Sequence, residues 1–182
     1  MILDRFDTTN LTLRPFTEDD AGAVFAYWSS DSGWERFNAS VPSNFTPYDA
    51  ESFVAEMSAR SREDRPNWAV VQLGVVVGVV SLTFEQHFGI AVVGYGVHGD
   101  LRGRGFAVEA AGAVIDQAFA KYPQLQRIRA HTDLENASSM RVLEKLGFTH
   151  EGTLRSNQFV KGRFCDEVVF GLLREEWIRS DK

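Results

Sequence analysis

At 182 residues the chain has the length of one domain, a typical domain being roughly 100 to 200 residues. Its 44% apolar, 12% aromatic and 24% charged residues describe a folded protein with a substantial core and exclude disorder, collagen and coiled coil. The 19 basic and 25 acidic residues give a formal charge of -6, which disfavours nucleic acid as a partner and suits a cationic substrate.

The first ten residues carry Asp4, Arg5 and Asp7 where a signal peptide needs an apolar stretch, and the single Cys165 has no partner for an internal disulfide. A cytoplasmic protein is the expectation. Leu11 to Phe16 alternates apolar and polar residues and reads as a strand ended by Pro15. Thr17 and Asp20 resemble a capping box ahead of Ala21, Val24, Phe25 and Trp28, the apolar face of a first helix. Ser29 to Thr46 is irregular, and Trp28, Trp34, Phe37, Phe45 and Tyr48 are candidate groove residues, with the core as their alternative. Thr46 and Pro47 open a second helix to about Ser61, striped by Phe53, Val54 and Met57.

Trp68 to Phe84 is free of charge for 17 residues, but it is Val-rich and broken by Gln72, Gly74 and Gly78. That pattern predicts a hairpin, not a membrane span, which needs about 20 apolar residues. Strands are expected at Asn67 to Leu73, Val75 to Glu85 and Ile90 to His98. A long helix runs from Gly105 to Tyr122 with Val108, Ala111, Ile115 and Phe119 on one side, closed by Pro123. A strand at Arg127 to Thr132, a helix at Ala137 to Leu146 stopped by Gly147, and strands at Phe148 to Leu154 and Arg163 to Leu173 complete the chain. The order predicts a mixed α/β sheet.

Gly94 to Ala110 carries the most chemistry: an apolar strand meets a glycine-rich turn that leads straight into the long helix. The first helical N–H groups lack internal partners, the helix dipole adds positive charge, and glycines let a phosphate approach the backbone. Arg102 and Arg104 add cationic charge. Residues 94 to 99 also spell G-x-G-x-x-G, but these glycines fall inside the strand and the helix starts six residues later, so a dinucleotide fold does not fit. No Gly-Lys-Ser/Thr follows, so there is no Walker loop.

Arg102-Gly103-Arg104-Gly105-Phe106-Ala107 resembles the Arg/Gln-x-x-Gly-x-Gly/Ala signature of the GNAT acetyltransferases. With Leu11-Thr12-Leu13-Arg14-Pro15, Asn136-Ala137-Ser138-Ser139, Val142 to Phe148, Glu151-Gly152 and Glu176-Trp177, the chain resembles the RimJ/RimL branch along nearly its whole length. The resemblance implies one GNAT domain over 1–182: a central, mostly antiparallel mixed sheet with helices on both faces. Acetyl-CoA would be the cosubstrate, its diphosphate held by the amides of Gly103 to Ala107, with Arg102 alongside, and its pantetheine by the strand around Tyr95 to His98.

By the same resemblance a backbone N–H near Val97 and His98 would donate to the oxyanion, Asn136 would contact the pantetheine, and Ser139 would protonate the leaving sulfur. Asn136 and Ser139 are also good N-cap residues for the helix that follows. Glu151 would be the general base, its alternative a surface strand carboxylate. The reaction is direct acyl transfer from thioester to amine through a tetrahedral intermediate, with no covalent enzyme species. Cys165 therefore has no required role and is expected as a core or strand residue. Glu109 is expected to be structural, and His87, His98, His131 and His150 show no metal spacing.

Removing a proton at pH 7 costs about 1.1 kcal/mol for an α-amine and about 4.6 kcal/mol for a lysine, which makes the α-amine the easier acceptor. The acceptor is a protein N-terminus or a small amine, and oligomeric state, a homodimer included, is not specified by the sequence. The competing reading is a noncatalytic acyl-CoA-sensing module. Gly96 departs from the family pattern by standing where an aromatic commonly follows Tyr95.

Overall fold

The computed structural model describes residues 4–37, 41–61, 63–85 and 87–180; the side chains of Ser32, Trp34, Glu35 and residues 178–180 lie outside that description. The elements are β1 (Phe6–Asp7), β2 (Thr12–Arg14), α1 (Ala21–Trp28), α2 (Ser32–Phe37), α3 (Pro47–Ala59), β3 (Asn67–Gln72), β4 (Val75–Glu85), β5 (Ile90–Val97), α4 (Phe106–Lys121), β6 (Arg127–Asp133), α5 (Ala137–Lys145), β7 (Thr149–Val160), β8 (Arg163–Leu173) and α6 (Arg174–Ser180). The strands form one sheet in the order β1-β2-β3-β4-β5-β6-β8-β7. Every pairing is antiparallel except that of β5 with β6.

The expected elements form for the expected reasons. Thr46 and Asp49 make a reciprocal capping box, with Thr46 N–H donating to Asp49 Oδ2 at 2.8 Å and Pro47 in the first turn of α3. The charge-free stretch is the β3/β4 hairpin, turned by Leu73 and Gly74 with φ of 49° and 84°, the left-handed pair that a two-residue hairpin favours. Three elements escape sequence patterning. β1 is two residues long, α2 contains Gly33, and α6 leaves β8 without a turn. β7 runs six residues past the expected Leu154, because an irregularity between Leu154 and Gln158 interrupts its alternation without ending its pairing.

Alternation along β3 divides the core. Trp68 and Val70 face a large cluster with Val114, Ile115, Ala118 and Phe119 of α4 and Leu143 of α5. Ala69 and Val71 face a smaller one with Val24 and Trp28 of α1 and Ala50, Val54 and Met57 of α3. Each fully buried Val, Leu or Ile stabilises by about 1.5 to 3 kcal/mol. The strand residues of the smaller cluster come from β3 and β4 alone; farther along the same sheet, β6 carries Arg127, Arg129, His131 and Asp133 at alternate positions.

Candidate active site

The site begins where the sheet comes apart. β5 and β6 are in register for three pairs, Ile90 with Arg127, Ala91 with Ile128 and Val92 with Arg129. Beyond Val92, β5 continues against β4 alone. His98 N–H donates to Val77 O at 3.0 Å. Since bonding alternates along an antiparallel ladder, the backbone groups of Tyr95 and Val97 point away from β4, into the gap. Val97 therefore remains a candidate donor, whereas His98 does not: its amide belongs to the sheet. The His98 ring is buried against Tyr27, centroids 4.5 Å apart, and its Nδ1 accepts from Asp100 N–H at 3.3 Å.

This gap opens into a cleft of about 400 Å³ lined by residues of α2, β5, α5 and the turn before α4. Gly103 and Gly105 adopt φ of 79° and 86°, and a Cβ added to either meets nothing within 4 Å. Gly105 is the N-cap of α4 and supplies no side chain to cap it, so the first-turn amides stay available to an anion. Gly103, Gly105, Phe106 and Ala107 all line the cleft.

The two arginines of the turn behave differently from a pair of anion-binding charges. Arg102 lines the cleft, yet its Nη2 is 2.5 Å from Oδ2 of buried Asp31. It ties the turn to the segment ahead of α2, and a Cβ on Gly33 would lie 2.5 Å from its Nη1. Arg104 is exposed and outside the cleft lining. Further cationic groups are Arg141 and Lys145, one α5 turn apart and both lining the cleft. Their i, i+4 spacing was readable in the sequence, but not which way that face points.

The two readings of Asn136 and Ser139 resolve into different atoms. Asn136 caps α5, its Oδ1 accepting Ser139 N–H at 3.1 Å. Ser139 gives only its amide to the cap; its Oγ lies 3.0 Å from the Tyr95 hydroxyl, which also donates to Ser139 O at 3.0 Å. Burial pushes the Tyr95 phenol up to about 12 against the opposing Ser139 hydrogen bond, so Tyr95 stays protonated. Sequence reasoning used Tyr95 only for its backbone.

Glu151 is engaged by Arg127. It lies outside the cleft lining, and both carboxylate oxygens are held by Arg127, Oε1 2.6 Å from Nη1 and Oε2 on Nη2. The Arg127 hydrogen bond, outweighing burial, holds the Glu151 pKa below the usual carboxylate range, so an engaged, weakened base stands where a free one was expected.

Among the candidate groove aromatics, Trp28 is buried against Phe45 and Phe53 in the smaller core cluster and Tyr48 is 74% exposed. Phe37 does line the cleft, and the Trp34 side chain lies outside the described residues. Cys165 is buried on β8. Glu109 secures the N-terminal hairpin, accepting from Thr8 Oγ1 at 2.6 Å and Asn10 N–H at 2.7 Å. No group of three or more His, Cys, Asp or Glu among the described residues is placed to hold a metal, and no described helix is long and apolar enough to cross a membrane.

Residues 10–149 match the family described as "Acetyltransferase (GNAT) domain". The chain is 31% identical over 172 residues to the uncharacterized N-acetyltransferase p20 of Bacillus licheniformis, covering 93% of this chain and 96% of p20. A GNAT-family acetyltransferase from Bacillus anthracis superposes with a TM-score of 0.83 at 26% identity, covering 94% of this chain and 99% of that one. Mycobacterium smegmatis RimJ, in complex with CoA-disulfide, shares the fold with a TM-score of 0.79 at 24% identity over 91% of this chain and 83% of its own. The parted strands, the uncapped helix after two left-handed glycines and these likenesses agree, and the chain belongs to the GNAT family as an N-acetyltransferase.

Proposed function

We propose that the protein transfers the acetyl group of acetyl-CoA to a primary amine, either a protein N-terminal α-amine or a small-molecule amine, acting in the cytoplasm as one catalytic unit. The observation that carries this reading is the junction of β5 with α4. Left-handed Gly103 and Gly105 lead into a first turn with no side-chain cap, on a cleft also lined by Arg141 and Lys145. Unpaired amides and fixed cations are the donor set that a diphosphate recognises.

When bound, acetyl-CoA supplies an activated acetyl thioester. The amides of Phe106 and Ala107 would hold the diphosphate, while Val97 N–H, directed into the gap, would donate to the carbonyl oxygen as negative charge develops there. Ser139 Oγ would deliver a proton to the departing sulfur, its orientation set by Tyr95 at 3.0 Å. Asn136 lines the cleft and holds α5 in position through its cap.

Calorimetry with acetyl-CoA and a thiol-release screen over peptides with free N-termini, polyamines, amino acids and aminoglycosides test the reading. Submicromolar to micromolar binding and thiol release with one amine class are expected. No binding at millimolar acetyl-CoA would remove the basis for the reading, and binding without release across the panel would favour the noncatalytic acyl-CoA-sensing module.

A further inference from the structure

α2 links the two walls of the cleft. At its start Asp31 accepts Gly33 N–H on Oδ1 at 3.0 Å and Arg102 Nη2 on Oδ2 at 2.5 Å, which fastens the helix to the turn that precedes α4. Near its end Arg36 Nη2 lies 2.7 Å from Oε2 of Glu135, in the loop between β6 and α5. One short helix thus joins the β5 side of the gap to the α5 side, and it presents Gly33 and Phe37 to the cleft.

These ties differ in strength. The Asp31 side chain is 4% exposed, and beyond α2 the buried Val41 accepts on its carbonyl from Lys161 Nζ in the β7/β8 turn. The Arg36 and Glu135 side chains are 59% and 51% exposed, so water and salt screen their pair and it holds only lightly. α2 itself is six residues long with Gly33 inside it, too short and too glycine-weakened to persist without its partners. Firm anchors ahead and beyond, with a light contact between them, let the helix bow off the cleft while both anchors stay made.

Glu135 is held ready for that contact. Its N–H donates to Asp133 Oδ1 at 2.7 Å, and its Oε2 also receives Arg163 Nη2 at 3.1 Å. On the other side the Arg36 guanidinium lies over the Phe37 ring, 5.2 Å from its centroid, so the cation of the pair also bears on a ring that lines the cleft. Neither Arg36 nor Glu135 is part of the lining.

We propose that α2 is a strap that closes over acyl-CoA in the cleft, anchored at Asp31 and Val41 and latched by Arg36 on Glu135. The inference rests on the acetyl-CoA-binding part of the reading above. Opening separates Arg36 from Glu135 and carries Phe37 off the cleft wall; the Asp31–Arg102 pair and the Val41 carbonyl contact remain. A barrier on the path is crossed in both directions, so weakening the latch speeds entry and exit by the same factor. Because the latch residues lie outside the lining, the ligand's own contacts and its affinity change little.

Stopped-flow association and dissociation of acetyl-CoA on the full chain, with dissociation chased by excess CoA, test the strap. Arg36→Gln and Glu135→Gln should each accelerate both rate constants by about two- to fivefold, the range that an exposed ion pair supports. Calorimetric Kd should stay within about twofold of wild type, and the double variant should match Glu135→Gln, since the two side chains act through one contact. Urea unfolding checks the fold of each variant, and either single variant decides alone if the other does not fold. Association within about 1.5-fold of wild type, whether or not dissociation quickens, overturns the strap and leaves acetyl-CoA binding standing. Faster dissociation matched by an equal rise in Kd likewise overturns it, as the mark of a residue that holds the ligand and does not gate it. Failure of the wild type to bind millimolar acetyl-CoA overturns the strap and the acetyl-transfer reading together.

Discussion

Asp20 shows how one carboxylate can serve two neighbours. Arg14 grips both of its oxygens, at 2.7 and 2.8 Å, while Thr17 N–H donates to Oδ2 at 2.8 Å and fixes the chain entering α1. Burial favours the protonated acid, but Arg14 and then Thr17 outweigh it and the Asp20 pKa falls below the usual range. A lowered folded-state pKa stabilises above the unfolded value of about 3.9 and loses that contribution as pH falls through the folded value. Asp20→Asn should thus cost about 3 kcal/mol at pH 7, because the Arg14 charge is left uncompensated, and the deficit should shrink below about pH 4. Urea unfolding of both proteins between pH 7 and 2.5 measures it. Glu151, whose side chain is 35% exposed, has the same sign but a smaller effect. Glu151→Gln should cost less than about 1 kcal/mol and leave kcat within about threefold of wild type in the thiol-release assay.

At the scale of elements, the two helix starts around the cleft are built differently, and this makes their functions separable. α5 is capped by a side chain, so Asn136→Ala should destabilise by about 1 kcal/mol in thermal or urea unfolding. Ser139→Ala keeps the amide that the cap uses and loses only the contact with Tyr95. It should lower turnover more than acetyl-CoA affinity; equal losses would mean that Ser139 only binds. α4 is left uncapped behind Gly105, whose φ of 86° a branched side chain adopts only with strain. Gly105→Val should cost about 1 to 3 kcal/mol and weaken acetyl-CoA binding at least tenfold by calorimetry, since the added branches crowd the amides of the turn.

Across the whole molecule, the cleft depends on contacts far apart in sequence. Asp31 and Arg102 join the start of the α2 region to the turn before α4 at 2.5 Å, a pair whose acidic member is buried. Asp31→Asn should loosen that junction and raise the acetyl-CoA Kd several-fold, because α2 contributes Gly33 and Phe37 to the cleft wall. Gly78 has a comparable reach: a Cβ there would stand 2.3 Å from Gly96 O. Gly78→Ala should push β5 away from β4 and lower both stability and acetyl-CoA affinity, read by unfolding and calorimetry together.

Local signals were sufficient for much of this. Capping residues at Thr46, the turn at Gly74, the apolar stripe of α4 and the glycines before Phe106 act over one to four residues of chain, and that range is written in sequence order. Together with the family motifs they identified the elements other than β1, α2 and α6, the sheet class and the glycine turn that opens α4. Partnership across the sheet was a different matter. That Arg127 occupies Glu151 and that Asp31 occupies Arg102 follow from register and burial between residues 24 and 71 positions apart. Whether a carboxylate is free to act as a base depends on what folding places beside it, and only the tertiary structure supplies that neighbour.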